Sequence, residues 1–498
     1  MKAMSMLKRF ASLLALLLAV MMIFAACGPD NETPKPTGDD ADVSSEETVE
    51  SNESKTEETE SKKENSSKKK ESSKKEDKED APAGSYTGFS ESTEKGGSMY
   101  KNAPKGEVHV LMWRNYHKSE QLLIDQYEKL TGVKVKTTVS NQNDYPTKLV
   151  TMVSGNESPD VVMFQSNYFP GLVTKSLQPL KNKYFQLDSD CWNKAYMDAY
   201  KIYDNYFGVA MPASWSCEDC TYVTYYSPAV LQNCGIKEDP YELYKNGLWN
   251  WDKQIDIIRA VKAKGLTGLA LQSNDMFMLS AGKDFVKYEN NTYTNMLDNV
   301  TADSLLTEAW MKVAELNGED CLVGWDIASV QQGKVGLFTA ISYGLYNEGN
   351  WFTNDFAKTL KAVPVAGPTG GTAYTPVRPK VWGVPKKAKN PEGAAYFLRY
   401  FLDVSEFNQD TTFHNDNFKE VYKTITDSKA PKTVMHGSGV CDYVNYGTYT
   451  NICNDLTATI PANITTQIKS KAKTVNAGIG AANKDLARLK PKSKTKSK

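Results

Sequence analysis

Few residues in this 498-residue chain have the type and spacing that catalysis or metal binding demands. The sharpest pattern is Cys217-Glu-Asp-Cys220, the CxxC spacing of a redox or zinc motif. A zinc site would need a second pair of ligands. No other CxxC is present, and His109, His117, His414 and His436, the four histidines, stand at no ligand spacing. A redox centre would need a strand-to-helix setting that the flanking residues do not offer. The pair therefore reads as structural, a disulfide or two buried thiols, and its place beside Trp215 leaves a part in shaping a binding surface open. No metal and no cofactor is expected. The phosphate-loop and H-E-x-x-H signatures are absent, His436-Gly-Ser438-Gly lacks the first glycine of a nucleophile elbow, and Gly478-Ile-Gly480-Ala-Ala-Asn483 lacks the third glycine of a dinucleotide loop. Carboxylate pairs such as Asp188/Asp190 and Glu218/Asp219 remain for acid–base work. Glycoside cleavage needs two carboxyls about 5–10 Å apart, which sequence spacing does not set.

The formal net charge of −1 hides unlike regions. Lys2, Lys8 and Arg9 make residues 1–27 basic, residues 28–80 hold 18 acidic groups against 10 lysines, and residues 484–498 carry seven basic groups against Asp485. The body between is close to neutral, which argues against a nucleic-acid binder, since that would show a basic face. The length suits two or three domains.

Residues 10–26 run apolar behind the basic start, the layout of a secretory signal. The run ends in Phe24-Ala25-Ala26-Cys27-Gly28, which resembles the bacterial lipobox with Phe24 where Leu is usual. That resemblance implies lipid attachment at Cys27, a membrane anchor and an extracytoplasmic body. Lipidation leaves seven cysteines, 191, 217, 220, 234, 321, 441 and 453, so at least one stays unpaired within a monomer. Residues 28–80 contain no aromatic group and are dominated by Ser, Lys, Glu, Asp and Thr. Such a segment buries too little apolar surface to offset its ordering entropy, and the reading is a disordered tether over 28–103. Its r.m.s. span would be roughly 45 Å.

From Pro104 the texture becomes globular. Strands are expected at 107–113, 133–139 and 159–164, with helices at 119–130 and 145–153 between them. Alternation of this kind implies βαβ units and a parallel sheet. Further strands are expected at 206–211, 221–226 and 334–339, and helices at 252–264 and 391–403, the last with Asn390 as N-cap and Pro391 at its first position.

In their order, these signals resemble family-one extracellular solute-binding lipoproteins of bacterial ABC importers, which mostly take up sugars and oligosaccharides. The matching pieces are Val108 to Trp113, Gly132-Val-Lys-Val, Ser158-Pro-Asp-Val-Val, Phe207-Gly-Val-Ala-Met-Pro212, and Tyr225-Tyr226-Ser-Pro where the family has Tyr-Asn. They continue with Trp249-Asn-Trp-Asp252, Gly333-Lys-Val-Gly-Leu-Phe, Val363-Pro-Val-Ala-Gly-Pro368, and Trp382-Gly-Val-Pro with Asn390-Pro-Glu-Gly-Ala-Ala. No piece is specific alone; their order over some three-fifths of the chain carries the likeness. It implies an α/β fold of two lobes with a ligand cleft between them. Lobe one would be 104–211 plus 361–403, lobe two 212–360 plus 404–484, and 485–498 a basic tail. The partners implied are a carbohydrate and permease subunits, with the protein itself a monomer.

A sugar needs aromatic platforms for its C–H faces and amides, carboxylates or Arg for its hydroxyls. In the loops after the expected strands the candidates are Trp113, Asn115, Gln165, Asn167, Tyr168, Trp215, Tyr343, Arg378 and Trp382. Each Trp could equally be a core filler; Trp249 and Trp251, at a helix entry, read as packing, and Trp351 is open. Two functions follow from different classes: a non-catalytic receptor, or a tethered extracellular carbohydrate-active enzyme such as a glycoside hydrolase. Sister families with this fold also carry polyamines, metals and peptides.

Overall fold

The computed structural model describes residues 100, 102–189, 192–210, 221–346, 351–402, 413–427 and 429–491. Cys27, most of the expected tether, Trp215 and the Cys217/Cys220 pair lie outside the described residues. The first part of the body alternates strand and helix: β1 (Glu107–Met112), α1 (Lys118–Thr131), β2 (Lys134–Val139), α2 (Tyr145–Ser154) and β3 (Val161–Phe164). Next come β4 (Tyr222–Tyr226), α3 (Trp251–Lys262), β5 (Thr267–Leu271), the β6–β7 hairpin (Val286–Glu289, Thr292–Asn295), α4 (Leu305–Gly318), β8 (Leu322–Val323) and β9 (Val335–Ile341). The chain continues through β10 (Lys361–Pro364), β11 (Thr375–Val377), β12 (Val381–Gly383), α5 (Pro391–Phe401), α6 (Asp416–Thr426) and β13 (Lys432–Val434). It closes with α7 (Gly437–Cys441), α8 (Thr448–Thr457) and α9 (Ile464–Ala487).

Two sheets define two α/β lobes. The first runs β12-β3-β1-β2, with β1 parallel to both neighbours and β12 antiparallel on β3. The second runs β10-β4-β9-β5-β8, parallel from β9 to β8 and antiparallel at β10 and β4. Residue choice explains the placement. All four residues of β3, Val-Val-Met-Phe, are buried, as in a strand covered on both faces. Each such side chain contributes about 1.5–3 kcal/mol by leaving water. Edge strand β2 exposes Lys134 and Lys136, charges that discourage pairing with another chain. The α5 entry is capped as expected: Asn390 accepts from the Gly393 N–H at 2.9 Å, and a Cβ on Gly393 would overlap the Asn390 amide. At the far end of α1, Gly132 takes φ 67°, a left-handed turn that glycine adopts without strain.

Several expected boundaries move. Tyr100 is 1% exposed and sits edge-on to Tyr400 at 5.3 Å, and Ala103 is buried, so the last residues assigned to the tether belong to the body. An aromatic ring with a pocket at hand recovers the burial that the polar segment before it lacks. The segment expected as a strand at 206–211 contributes, among its described residues, a single bridge from Val209 to Trp382. Lys361–Pro364, expected to open the return into lobe one, pairs antiparallel with β4 in the second sheet. Its apolar run fits either sheet, and only the pairing decides. At the C-terminus the helix continues past 484, with Asp485 and Leu486 buried, so the basic tail begins later than expected. Among the described residues no helix is long and apolar enough to cross a membrane.

Candidate functional site

The loop after β1 is held from below. Arg114 donates to both Glu120 oxygens at 2.7 Å, and the His117 N–H donates to Glu120 Oε2 at 2.7 Å. Tyr116 packs edge-on to Phe401 and accepts from Thr137 Oγ1 at 3.3 Å. Burial at that position drives the phenol pKa up. With Arg114 and Tyr116 so engaged, the loop presents Trp113, Asn115 and His117; Asn115 is exposed and the two rings are half-buried.

Trp113 meets Tyr145 edge-on at 5.2 Å and Tyr168 at 6.2 Å, and Tyr145 stacks on Tyr168 at 5.9 Å. Tyr145 is the fixed member, for its hydroxyl donates to the Met163 carbonyl at 2.7 Å and accepts from the Met163 N–H at 3.1 Å. Tyr168 lies in the single 3-10 turn after β3, Ser166–Tyr168. Desolvation pushes its hydroxyl up to about 12, which keeps it a neutral donor. Arg378, just past β11, exerts its charge on both Tyr168 and the buried Asp275 beyond β5, so it stands within electrostatic reach of both lobes. Lys380 lies 5.2 Å from the Trp113 ring centroid, a cation–π distance. Asn167 is half-buried and its side-chain oxygen is buried without a hydrogen-bond partner.

From the second sheet, the 3-10 turn Ser342–Leu345 follows β9 and presents Tyr343. The Ser342 N–H donates to the Thr221 carbonyl at 2.6 Å, and Tyr225 caps the Ile341 carbonyl at 2.8 Å. Gly344 lets the next aromatics close in, since a Cβ there would meet Phe352 at 2.9 Å and Trp351 at 3.1 Å. Tyr343 touches His117 of the first sheet's loop at 6.1 Å and Trp351 at 5.1 Å. Trp351 in turn meets Trp325 at 4.7 Å, and Trp325 is 47% exposed.

The structure thus groups Trp113 and Tyr168 with Asn167 and Arg378 close by, and Tyr343 reaches the same loop after β1 through His117. Two expected residues are placed otherwise. Trp382 is 1% exposed on β12, edge-on to Phe401 at 5.4 Å, and is a core residue rather than a cleft platform. β12 is buried along its whole length, and its pairing with β3 on one side and Val209 on the other leaves the indole no route to solvent. Gln165 is 2% exposed and offers ligand almost no surface. Trp249 and Trp251 pack as expected, their indole N–H groups donating to the Pro364 and Ala366 carbonyls. Sequence reasoning missed Lys380, His117 and Trp325; the only signal for Trp325 was an aromatic in a Gly-Trp-Asp loop. Among the described residues no cluster of His, Cys, Asp or Glu could hold a metal, and Cys234, Cys321, Cys441 and Cys453 are free, buried thiols.

A two-lobed α/β body with aromatic and cationic groups in the loops after its strands is the architecture of a protein that encloses small solutes. The chain belongs to the bacterial extracellular solute-binding proteins, whose family model matches residues 123–419, more than half of its length. Membership places its work outside the cytoplasm. Its fold is similar to that of the galacto-N-biose-/lacto-N-biose I-binding protein of an ABC transporter from Bifidobacterium longum, with TM-score 0.58, 14% identity, and coverage of 76% of this chain and 97% of that one. It is also similar to the cyclic alpha-maltosyl-1,6-maltose binding protein from Arthrobacter globiformis, with TM-score 0.55, 15% identity, and coverage of 77% and 100%. The GacH receptor of Streptomyces glaucescens gives TM-score 0.54, 15% identity, and coverage of 77% and 99%. At such identities the likeness is one of fold. No curated protein matches the chain in sequence.

Proposed function

We propose that this protein is the substrate-binding component of an ABC importer, capturing a carbohydrate, a sugar or an oligosaccharide, between its lobes and passing it unchanged to a permease. What supports the reading is that the loops after β1, β3 and β11 gather rings with a guanidinium, an ammonium and an amide, and that Tyr343 after β9 contacts His117 of the first of these loops. Trp113 and Tyr343 supply platforms for apolar sugar faces, while Arg378, Lys380 and Asn167 answer the hydroxyls. The fold neighbours named above bind saccharides, which supports the same solute class. Closure of hinged lobes then uses binding free energy to shift an open–closed equilibrium rather than to lower a chemical barrier.

In this reading lobe one comprises residues 100–210 and 381–402, and lobe two 221–364 and 413–489, with β11 and β13 at the crossing. Lipid on Cys27 and the polar segment after it would hold a monomeric body at the outer face of the membrane. A serine at Cys27 should then release the protein into the medium.

The test is a thermal-shift and calorimetric screen against mono- and oligosaccharides, followed by mass analysis of the recovered sugar. A bound ligand raises the melting temperature by mass action. A receptor returns the sugar intact; cleaved product would favour the tethered enzyme, and no response to any saccharide would end the carbohydrate reading.

A further inference from the structure

Two stretches that belong to different sheets close on one histidine. Residues 169–203 lie between β3 and Val209, which bridges to Trp382, and the Gln178 N–H donates to the Val384 carbonyl at 3.0 Å. This stretch is therefore part of the first sheet's body. The β6–β7 hairpin lies between β5 and β8 of the second sheet. It is joined to α9, where the Asn483 side chain accepts the Tyr293 N–H at 2.8 Å and donates to the Tyr293 carbonyl at 3.0 Å. Asp284, just before the hairpin, holds α7 by accepting the His436 and Gly437 N–H groups. Across the boundary the Tyr288 hydroxyl donates to the Lys201 carbonyl at 2.8 Å, and the Tyr203 N–H donates to Asn291 Oδ1. His436 sits in this seam. Its ring lies 5.9 Å from Phe169 and 6.2 Å from Tyr200 on one side, and 5.4 Å from Tyr288 and 5.9 Å from Tyr293 on the other. The residue is buried, with the Tyr293 hydroxyl 3.3 Å from Nδ1.

We propose that this seam is a proton-operated latch between the lobes: the neutral ring of His436 keeps it shut, and a proton on that ring parts it. The inference rests on the lobe division given above and not on the nature of the solute. A neutral imidazole packs among rings as a flat, weakly polar group, whereas an imidazolium placed there has lost its water. Burial accordingly lowers the ring to about 4 while the latch is shut. Parting takes Phe169 and Tyr200 away and lets water reach the ring, which moves back toward its ordinary 6.5. The His436 contribution to the shut form is thus whole above 6.5 and is lost as pH falls through about 4.

The groups around His436 do not reproduce this response. Asp284 keeps its N–H donors from Phe285, His436 and Gly437, all on its own side of the seam, whether the latch is shut or open. Asp275 and Asp442 likewise keep the Tyr449 hydroxyl and N–H. Burial drives Tyr288 and Tyr293 on the hairpin, and Cys441 and Cys453 on α7 and α8, upward, so these stay neutral across the acid range. Tyr200 donates to the Pro379 carbonyl at 2.7 Å, and Lys287 pairs with Glu289 at the surface. One ion pair does cross the boundary: Lys175 lies 4.0 Å from Asp485, which also takes the Tyr443 hydroxyl and Arg488. It calls for its own control.

The experiment is hydrogen–deuterium exchange on the full chain without ligand, at about pH 7.5 and about pH 5, each rate divided by the intrinsic rate at that pH. The reporter is the Tyr203 amide, whose acceptor Asn291 lies across the boundary. Its opening should be roughly threefold to thirtyfold easier at the lower pH, the upper figure being that of a ring which regains 6.5 on opening. Amides of β1 and β9 should keep their protection. His436→Gln and His436→Phe should abolish the ratio, and Lys175→Met should keep it. Tyr288→Phe, which removes one oxygen atom, should speed exchange at both pH values and leave the ratio as it was. A ratio under about threefold, or protection lost equally from β1 and β9, overturns the latch. So does a ratio that survives in His436→Gln or disappears in Lys175→Met, or a Tyr288→Phe protein that exchanges like the parent. With no sugar in the sample, each of these results leaves the carbohydrate reading where it stands.

Discussion

Glu120 receives both arms of the Arg114 guanidinium at 2.7 Å, and its side chain is 1% exposed against 19% for Arg114. The same carboxylate accepts the His117 N–H, so one residue in the first turn of α1 fixes both ends of the loop that carries Trp113. Removing it takes the carboxylate counter-charge away from a part-buried guanidinium. Glu120→Ala should cost about 3 kcal/mol of stability, measured by urea unfolding, and should weaken ligand binding as the loop loosens. An unchanged midpoint would refute the anchoring role.

Trp113 and Trp382 offer a paired test of platform against core. Trp113→Ala should lower ligand affinity by ~1–3 kcal/mol in calorimetry, with a smaller loss of melting temperature, since the ring is only half-buried. Trp382→Ala empties a buried site beside Phe401 and should cost about 3–5 kcal/mol of stability. A Trp382 variant that stays as stable as the parent but binds weakly would return that residue to the site.

The contrast between these two tryptophans shows what was legible in the chain. β1 and β3 were readable as short apolar runs, β2 by its alternation, and the helices between them by their 3.6-residue spacing. The capped entry of α5 was readable because Asn390 and Pro391 act locally. Trp382 was not, because three residues from Val381 to Gly383 carry no period, and the pairing with Val209 and Met163 that turns the indole inward comes from distant segments. Lys380 escaped notice for the same reason, since its partner Trp113 belongs to another strand's loop. Trp325 follows a two-residue strand whose neighbours in the sheet, not its own sequence, give it an address.

Titration should separate two buried groups of opposite sense at the foot of α7. Asp284 accepts the N–H groups of Phe285, His436 and Gly437 at 2.6, 2.9 and 2.7 Å. Burial nevertheless pushes its carboxyl up to about 7, with Asp275 adding to the shift, and the same burial lowers His436 to about 4. Cys441, Cys453 and Tyr449 also feel the Asp284 charge, and the Tyr293 hydroxyl lies 3.3 Å from His436 Nδ1. The folded state holds a proton on Asp284 that the unfolded chain releases above 3.8, so that contribution is whole below about 4 and is lost as pH rises through about 7. His436 acts the other way: its contribution is present above 6.5 and is lost as pH falls through about 4. In the parent the two slopes oppose each other between pH 4 and 6.5. Asp284→Asn leaves the histidine slope alone, so its melting temperature should climb with pH across that window more steeply than the parent's. Parallel profiles would refute the assignment.

Gly439 is where α7 comes down on the turn that carries Asn167 and Tyr168. A Cβ at Gly439 would overlap the carbonyl oxygens of Ser166 and Phe169, two backbone atoms with no side-chain freedom to yield. Gly439→Ala must therefore lift α7 or displace the turn. The expected cost is about 1–3 kcal/mol of stability, as for other overpacked contacts. Because Tyr168 supports Trp113, ligand affinity should fall with it, and the intrinsic tryptophan emission of the free protein should shift. A Gly480→Ala change is the control: nothing lies within 4 Å of a Cβ there, so stability should hold or rise by up to about 1 kcal/mol from helix propensity while binding stays at the parent value. If Gly439→Ala lowers stability but leaves affinity untouched, α7 packs against the turn without positioning it.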